Sequence, residues 1–206
     1  MSTKKTIYII RHGETDYNKQ GIIQGSGIDS DLNDTGRKQA NQFYKAYHHI
    51  TFDQIYTSEL KRTQQSVAGF VADEHRIEIL PELNEINWGI FEGLKGTPDS
   101  HKIYQAMTDD WKAGLLDRSV EGGETPNELQ RRQKRGLEKI MARTNENTVL
   151  ISMHGRAMRS FLCLLTDTPL HRMDEFKHHN LRLYVLEYAN DTFTIKERNC
   201  GKHLWI

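Results

Sequence analysis

Three short apolar runs constrain the fold of this chain most. Each ends on a polar or titratable group and is followed, directly or after a loop, by a stretch of helical periodicity. Residues 6–10 run into Arg11-His12-Gly13-Glu14, residues 54–57 into Ser58, and residues 148–153 into His154-Gly155. Strands that alternate with helices in this way predict βα units in an α/β fold, a three-layer α/β/α arrangement around a mostly parallel central sheet. The expected helices cover residues 35–48, 58–71, 97–143 with a break at 119–124, and 156–165. A third strand is expected at 77–80, closed by Pro81, and two more at 182–188 and 193–198. Ser58 is expected to cap the helix that follows it.

At 206 residues the chain is long enough for one sizeable core, and a single domain over 1–206 is expected. Residues 97–124 interrupt the βα rhythm and are expected to form a small helical insertion over the site. Lys+Arg 28 balances Asp+Glu 28, so a nucleic-acid partner lacks its basic footprint. The apolar run before Arg11 is too short for a signal-peptide core or a membrane span. Cys163 and Cys200 form neither a disulfide framework nor a metal spacing. These features predict a reduced cytoplasmic protein with no membrane partner, no cofactor and no metal; they are compatible with a monomer or a homodimer.

If the strands ending at Arg11, Thr57 and Met153 are parallel neighbours, Arg11, His12, Arg62 and His154 converge at one sheet edge, where open α/β sheets bind ligands. Two guanidinium groups and two imidazoles suit one phosphoryl dianion, with the helix after Ser58 expected to add its N-terminal dipole. The pair His178-His179 has no partner at a metal-ligand spacing and is expected in a surface turn.

Arg11-His12-Gly13-Glu14-Thr15, with Asn18 three residues on, resembles the signature of the histidine phosphatase (phosphoglycerate mutase-like) superfamily. Further segments are similar in the same order: Gln24-Gly25, Leu32-Asn33-Asp34-Thr35-Gly36, Ser58-Glu59-Leu60-Lys61-Arg62-Thr63, residues 83–93 around Glu85, Gly122-Gly123-Glu124-Thr125, and Ser152-Met153-His154-Gly155. Two departures fall on loops that shape the rim: Asp31 where a proline is usual, and Arg156 where a small residue is common. The resemblance implies His12 as nucleophile, with Arg11, Arg62 and His154 holding the phosphoryl group and Glu85 as the proton donor. Asn18, Gln24, Gly25 and Gly155 are then expected to face the substrate. Glu124, which a capping box at Thr125–Glu128 already explains in part, and Asn180 are weaker candidates for that role. Glu14 and Glu92 are the competing acids.

A neutral imidazole is a sensible nucleophile toward a dianion, and a phosphohistidine splits hydrolysis into two steps. A protonated His154 and the two arginines would carry the charge that a metal carries elsewhere. The reading favoured is a phosphomonoester hydrolase for a small metabolite: a sugar phosphate, a phosphoglycerate or a nucleotide-like ester. A mutase must shield its phosphoenzyme from water under a larger cover, and this insertion is modest. The alternatives are mutase-type phosphoryl transfer and a non-catalytic module that binds a phosphorylated ligand. Trp88, Tyr104, Trp111 and Arg118 are expected to line the cover.

Overall fold

A computed structural model describes residues 4–72 and 77–205. The first three residues of the N-terminal lead, residues 73–76 and residue 206 of the expected 1–206 domain lie outside the described residues. Six strands form one sheet: β1 (Lys5–Arg11), β2 (Gln54–Thr57), β3 (Ile77–Ile79), β4 (Thr148–Met153), β5 (Leu183–Ala189) and β6 (Thr192–Cys200). Their order is β3-β2-β4-β1-β5-β6. The first four run parallel, β5 is antiparallel to β1, and β6 is antiparallel to β5. The β5–β6 hairpin turns through Asn190 and Asp191, both left-handed at φ 50° and 59°, the backbone that a tight two-residue hairpin requires.

The period-2 alternation of the strands divides their side chains between two cores. Ile7 and Ile9 of β1, Tyr56 of β2, Val149 and Ile151 of β4, and Tyr184 and Leu186 of β5 belong to one. Ile10, Ile55, Leu150 and Leu183 belong to the other. Helices α5 (Pro98–Lys112), α6 (Pro126–Ala142) and α7 (Gly155–Leu165) bury apolar side chains in the first core. Helix α2 (Asp34–Tyr47) contributes Phe43 to the second, and α4 (Ala68–Ala72) contributes Phe70. A sheet with a core on each face is the three-layer α/β/α fold. Among the described residues no helix is long and apolar enough to cross a membrane.

Three elements depart from expectation. The helix expected over 58–71 is two short ones, α3 (Lys61–Gln65) and α4, separated at Ser66 and Val67. Ser66 Oγ donates to the Arg62 carbonyl at 2.6 Å and accepts from the Gly13 amide at 2.8 Å. A side chain that bonds back to the carbonyl four residues earlier loosens a helix there. Ser58 does not cap α3, whose N-cap is Leu60, and five residues are too few for the dipole expected of it. The pattern also missed α1 (Asp16–Gln20), a single turn closed by a Thr15/Asn18 capping box and a left-handed Gly21. Finally, the break between α5 and α6 is longer than 119–124, because α5 ends at Lys112 and Gly114 turns away at φ 91°.

Candidate active site

Strands β2, β4 and β1 are sheet neighbours, so their C-terminal ends deliver Ser58, His154, and Arg11 with His12 to one edge. His12 continues the β1–β4 ladder, its amide donating to the Met153 carbonyl at 3.0 Å. Its ring is buried, and Nδ1 lies 2.7 Å from the Gly13 carbonyl. A carbonyl only accepts, so Nδ1 carries the proton and Nε2 keeps its lone pair. Burial first, then Arg62 and Arg11, push the imidazole well below its ordinary pKa. His12 is therefore neutral across the physiological range.

The turn after β1 is fixed by close backbone approaches. A Cβ on Gly13 would lie 2.8 Å from the Gly36 carbonyl, and one on Gly36 would lie 2.1 Å from that of Glu14. Both glycines let the loop lie against the first turn of α2. On the other side, Asn180 Nδ2 donates to the His12 carbonyl at 2.9 Å and to Asn18 Oδ1 at 3.2 Å. The next residue, Leu181, takes the left-handed φ of 52° and donates its amide to the Arg11 carbonyl. A β-carbon makes that conformation costly, and it buries the leucine side chain while Asn180 faces the loop.

His154 and Arg62 are fully buried beneath His12. The two imidazole centroids are 5.2 Å apart. His154 Nε2 meets Ser58 Oγ at 2.8 Å, and that hydroxyl also accepts from the Leu60 amide at 3.1 Å. Burial, then Arg62, His12 and Arg11, hold the His154 pKa far down as well. Those surroundings disfavour the imidazolium expected there unless a bound anion offsets them. Arg62 donates to the carbonyls of Ile28 and Gly25 at 2.5 and 3.2 Å, and burial pulls its pKa down to about 10. Arg11 Nε, Arg62 Nε and His154 Nδ1 are buried nitrogens without a protein partner, the arrangement that an oxyanion completes.

Glu85 is buried next to this cluster rather than exposed on its loop. Oε1 accepts from the amides of Ile86 and Ala157 at 2.9 and 2.8 Å, and Oε2 from that of Arg156 at 3.1 Å. The carboxylate thus sits on the N-terminus of α7. Arg132 of α6 fixes the same loop from outside, donating to the Glu82 and Glu85 carbonyls, both at 2.9 Å. Glu124 holds Arg132 through two bonds at 2.7 and 2.9 Å, so it positions the acid loop and does not face the ligand. The competing acids are engaged elsewhere: Glu14 accepts from Asn33 and Glu92 from the Trp88 amide.

A cavity of about 270 Å³ opens above His12, lined by Arg11, Asn18, Ile22, Gln24, Glu85, Trp88 and Tyr104 among others. Gly25 and Gly155 are not in its wall. A Cβ on Gly25 would strike Glu92, and one on Gly155 would lie 2.7 Å from the His178 ring. Their absent side chains serve packing. A wider groove of about 680 Å³ carries Asp16, Asp29, Asp31 and Asp34 against Lys19 and Arg37, a balance that disfavours a phosphate dianion. Among the described residues no group of three or more His, Cys, Asp or Glu is arranged to hold a metal.

Several functional contacts were not read from the sequence. His178, expected in a surface turn, lies 3.4 Å from Arg11 NH1, and burial with the nearby arginines lowers its pKa to about 2. Its one sequence signal was its closeness to Asn180. Of the four residues expected over the cavity, Trp88 and Tyr104 line it. Trp111 is buried in the core, and Arg118 pairs with Asp110.

The model of the histidine phosphatase superfamily (branch 1) matches residues 7–201. A relative from Yersinia enterocolitica named probable phosphoglycerate mutase GpmB is 29% identical over 187 residues, 88% of this chain and 84% of its own length. The solved structure of Bacillus stearothermophilus YhfR superposes with a TM-score of 0.85 at 26% identity, covering 97% of this chain and 99% of that one. The alpha-ribazole phosphatase from Shigella flexneri gives 0.84 at 22% identity over 95% and 96%, a likeness of fold.

Proposed function

Because the chain belongs to the histidine phosphatase superfamily, we propose that it hydrolyses phosphomonoesters of small metabolites through a phosphohistidine at His12. The observation that carries this reading is the Nδ1–H bond from His12 to the Gly13 carbonyl, which leaves a neutral Nε2 lone pair beside two arginines. His12 Nε2 attacks phosphorus in line and the ester P–O bond breaks. Protonated Glu85 gives its proton to the departing alkoxide and is left as a carboxylate. In the second step that carboxylate takes a proton from water, the oxygen attacks phosphorus, and the P–N bond breaks. Arg11, Arg62 and an imidazolium at His154 bear the charge of the equatorial oxygens, so a divalent metal has no role in the scheme. Asn18 and Gln24 orient the ester from the cavity wall. Residues 97–124 act as the cap of a single domain in a cytoplasmic enzyme with no nucleic-acid or membrane partner, as a monomer or a homodimer.

Mutase-type transfer is the second reading, favoured by the name of the Yersinia relative. Quenching the enzyme with a labelled ester should trap a phosphoprotein in wild type and none in His12→Ala. Wild type should release inorganic phosphate with excess chelator present. Isomerisation of phosphoglycerates without phosphate release would establish the mutase reading, and label persisting in His12→Ala would remove His12 as nucleophile. Glu85→Ala should cost about 10²–10⁴ in turnover of an alkyl ester. The cost should be much smaller for a nitrophenyl ester, whose phenolate leaves unprotonated; equal losses would give Glu85 a purely positioning role.

A further inference from the structure

Above the phosphoryl site the cavity is walled by Ile22, Ile23, Trp88, Tyr104, Ser100 and His101. Trp88 and Tyr104 are in ring contact, their centroids 5.4 Å apart. Among the described residues, Arg11 supplies the only guanidinium in the wall, beside His12, and no lysine lines it. Arg156, which reaches the Trp88 and Tyr104 wall from behind, is already spent: it donates to Asp174 at 2.6 Å and to the Tyr104 hydroxyl at 2.8 Å, and lies over the rings of Trp88 and Trp111 at 5.9 and 5.4 Å. The N-terminus of α5 also borders the cavity, but its Ser100 and His101 amides are bonded to Thr97 and Pro98 has none to offer. Thr97 and Ser100 close a capping box on each other, and Asp99 puts a carboxylate in the first turn. The His101 imidazole has its Nδ1 committed to the Thr97 carbonyl at 2.8 Å. A second anionic group on the substrate would therefore share the cavity with the Glu85 carboxyl and find, among the described lining residues, no guanidinium or ammonium beyond Arg11 to offset it.

We infer that the leaving group of the natural substrate is uncharged and carries a flat or apolar face that packs on Trp88 and Tyr104, with Arg156 as the strut that holds this wall. The inference rests on the phosphatase reading and narrows it, setting carboxylate-bearing phosphoglycerates aside. The same residue joins wall and acid: the Arg156 amide holds Glu85, and its guanidinium holds Tyr104. A small residue at 156 would leave the Tyr104 hydroxyl without that donor.

The test compares three esters of primary alcohols, so that leaving-group chemistry is nearly matched: propyl phosphate, 2-phenylethyl phosphate and 3-phosphooxypropionate. The phenylethyl ester should exceed propyl in kcat/KM by about three- to tenfold, the range for one aromatic contact, and the carboxylate ester should fall below propyl. Tyr104→Ala should lower the phenylethyl rate more than the propyl rate, and Tyr104→Phe, which keeps the ring, should retain most of the preference. Calorimetric binding of the three matching phosphonates should give the same ranking without turnover. That ranking in an enzyme that hydrolyses none of the esters would overturn the phosphatase reading and keep the inference. A carboxylate ester that is fastest or binds tightest, or a Tyr104→Ala loss equal for all three, would overturn the inference and leave hydrolysis standing.

Discussion

At the scale of single residues, the site places two neutral imidazoles among buried arginines, and their roles diverge through their partners. His12 has one nitrogen committed to a carbonyl and the other free, whereas His154 meets a hydroxyl that can donate or accept. His154 is thus free to take up a proton when an anion arrives. Binding of tungstate, a dianion at neutral pH, should draw up to one proton from solution. The calorimetric enthalpy would then change linearly with the ionisation enthalpy of the buffer, and His154→Gln should flatten that dependence. A flat response in wild type would mean that His154 stays neutral with the anion bound. Arg11, His12, Arg62 and His154 were legible in the sequence because each follows a strand end closely, and strand ends on one sheet edge meet. The Ser58–His154 and Arg11–His178 contacts were not, because they depend on rotamers and on residues far apart along the chain.

At the scale of elements, the strands were legible almost residue by residue, since β-branched and apolar runs of this length have few other uses. The helices were less so. Periodicity gave α2 and α7 but joined α3 to α4, because Ser66 breaks the helix through a bond to Gly13 that no local pattern announces. The direction of β5 was likewise beyond the pattern, since a buried strand reads the same either way. The junction of α2 with the loop after β1 gives a sharp expectation. Gly36→Ala would put a methyl 2.1 Å from the Glu14 carbonyl oxygen, a backbone atom that must move. The substitution should cost about 1–3 kcal/mol in urea unfolding and, by shifting His12, roughly 10²-fold in turnover. Unchanged kinetics would mean that the loop tolerates displacement of α2.

For the whole molecule, what distinguishes its stability is buried neutral histidine. His12, His154, His178 and His203 all have pKa values lowered from the ordinary imidazole value of about 6.5, first by burial. Below that value the unfolded chain binds protons that the folded one refuses, so stability must fall as the pH drops from about 6.5 toward the folded-state values. The limiting slope is about 1.4 kcal/mol per pH unit for each imidazole. Urea midpoints should therefore decline between about pH 6.5 and 5, before most carboxylates titrate, and added tungstate should restore more stability at the lower pH. A flat profile would place these rings in contact with water. The sheet order carries a consequence for synthesis on the ribosome. Of the described strands β1 is made first, yet it lies between β4 and β5, and the loop holding His12 is tied down by Asn180 and Leu181. A nascent chain thus carries His12 on a bare apolar strand, open to wrong pairing and to chaperones, before β4 and β5 are made. The loop after β1 gains its Asn180 and Leu181 bonds only once the β5–β6 hairpin has emerged and docked.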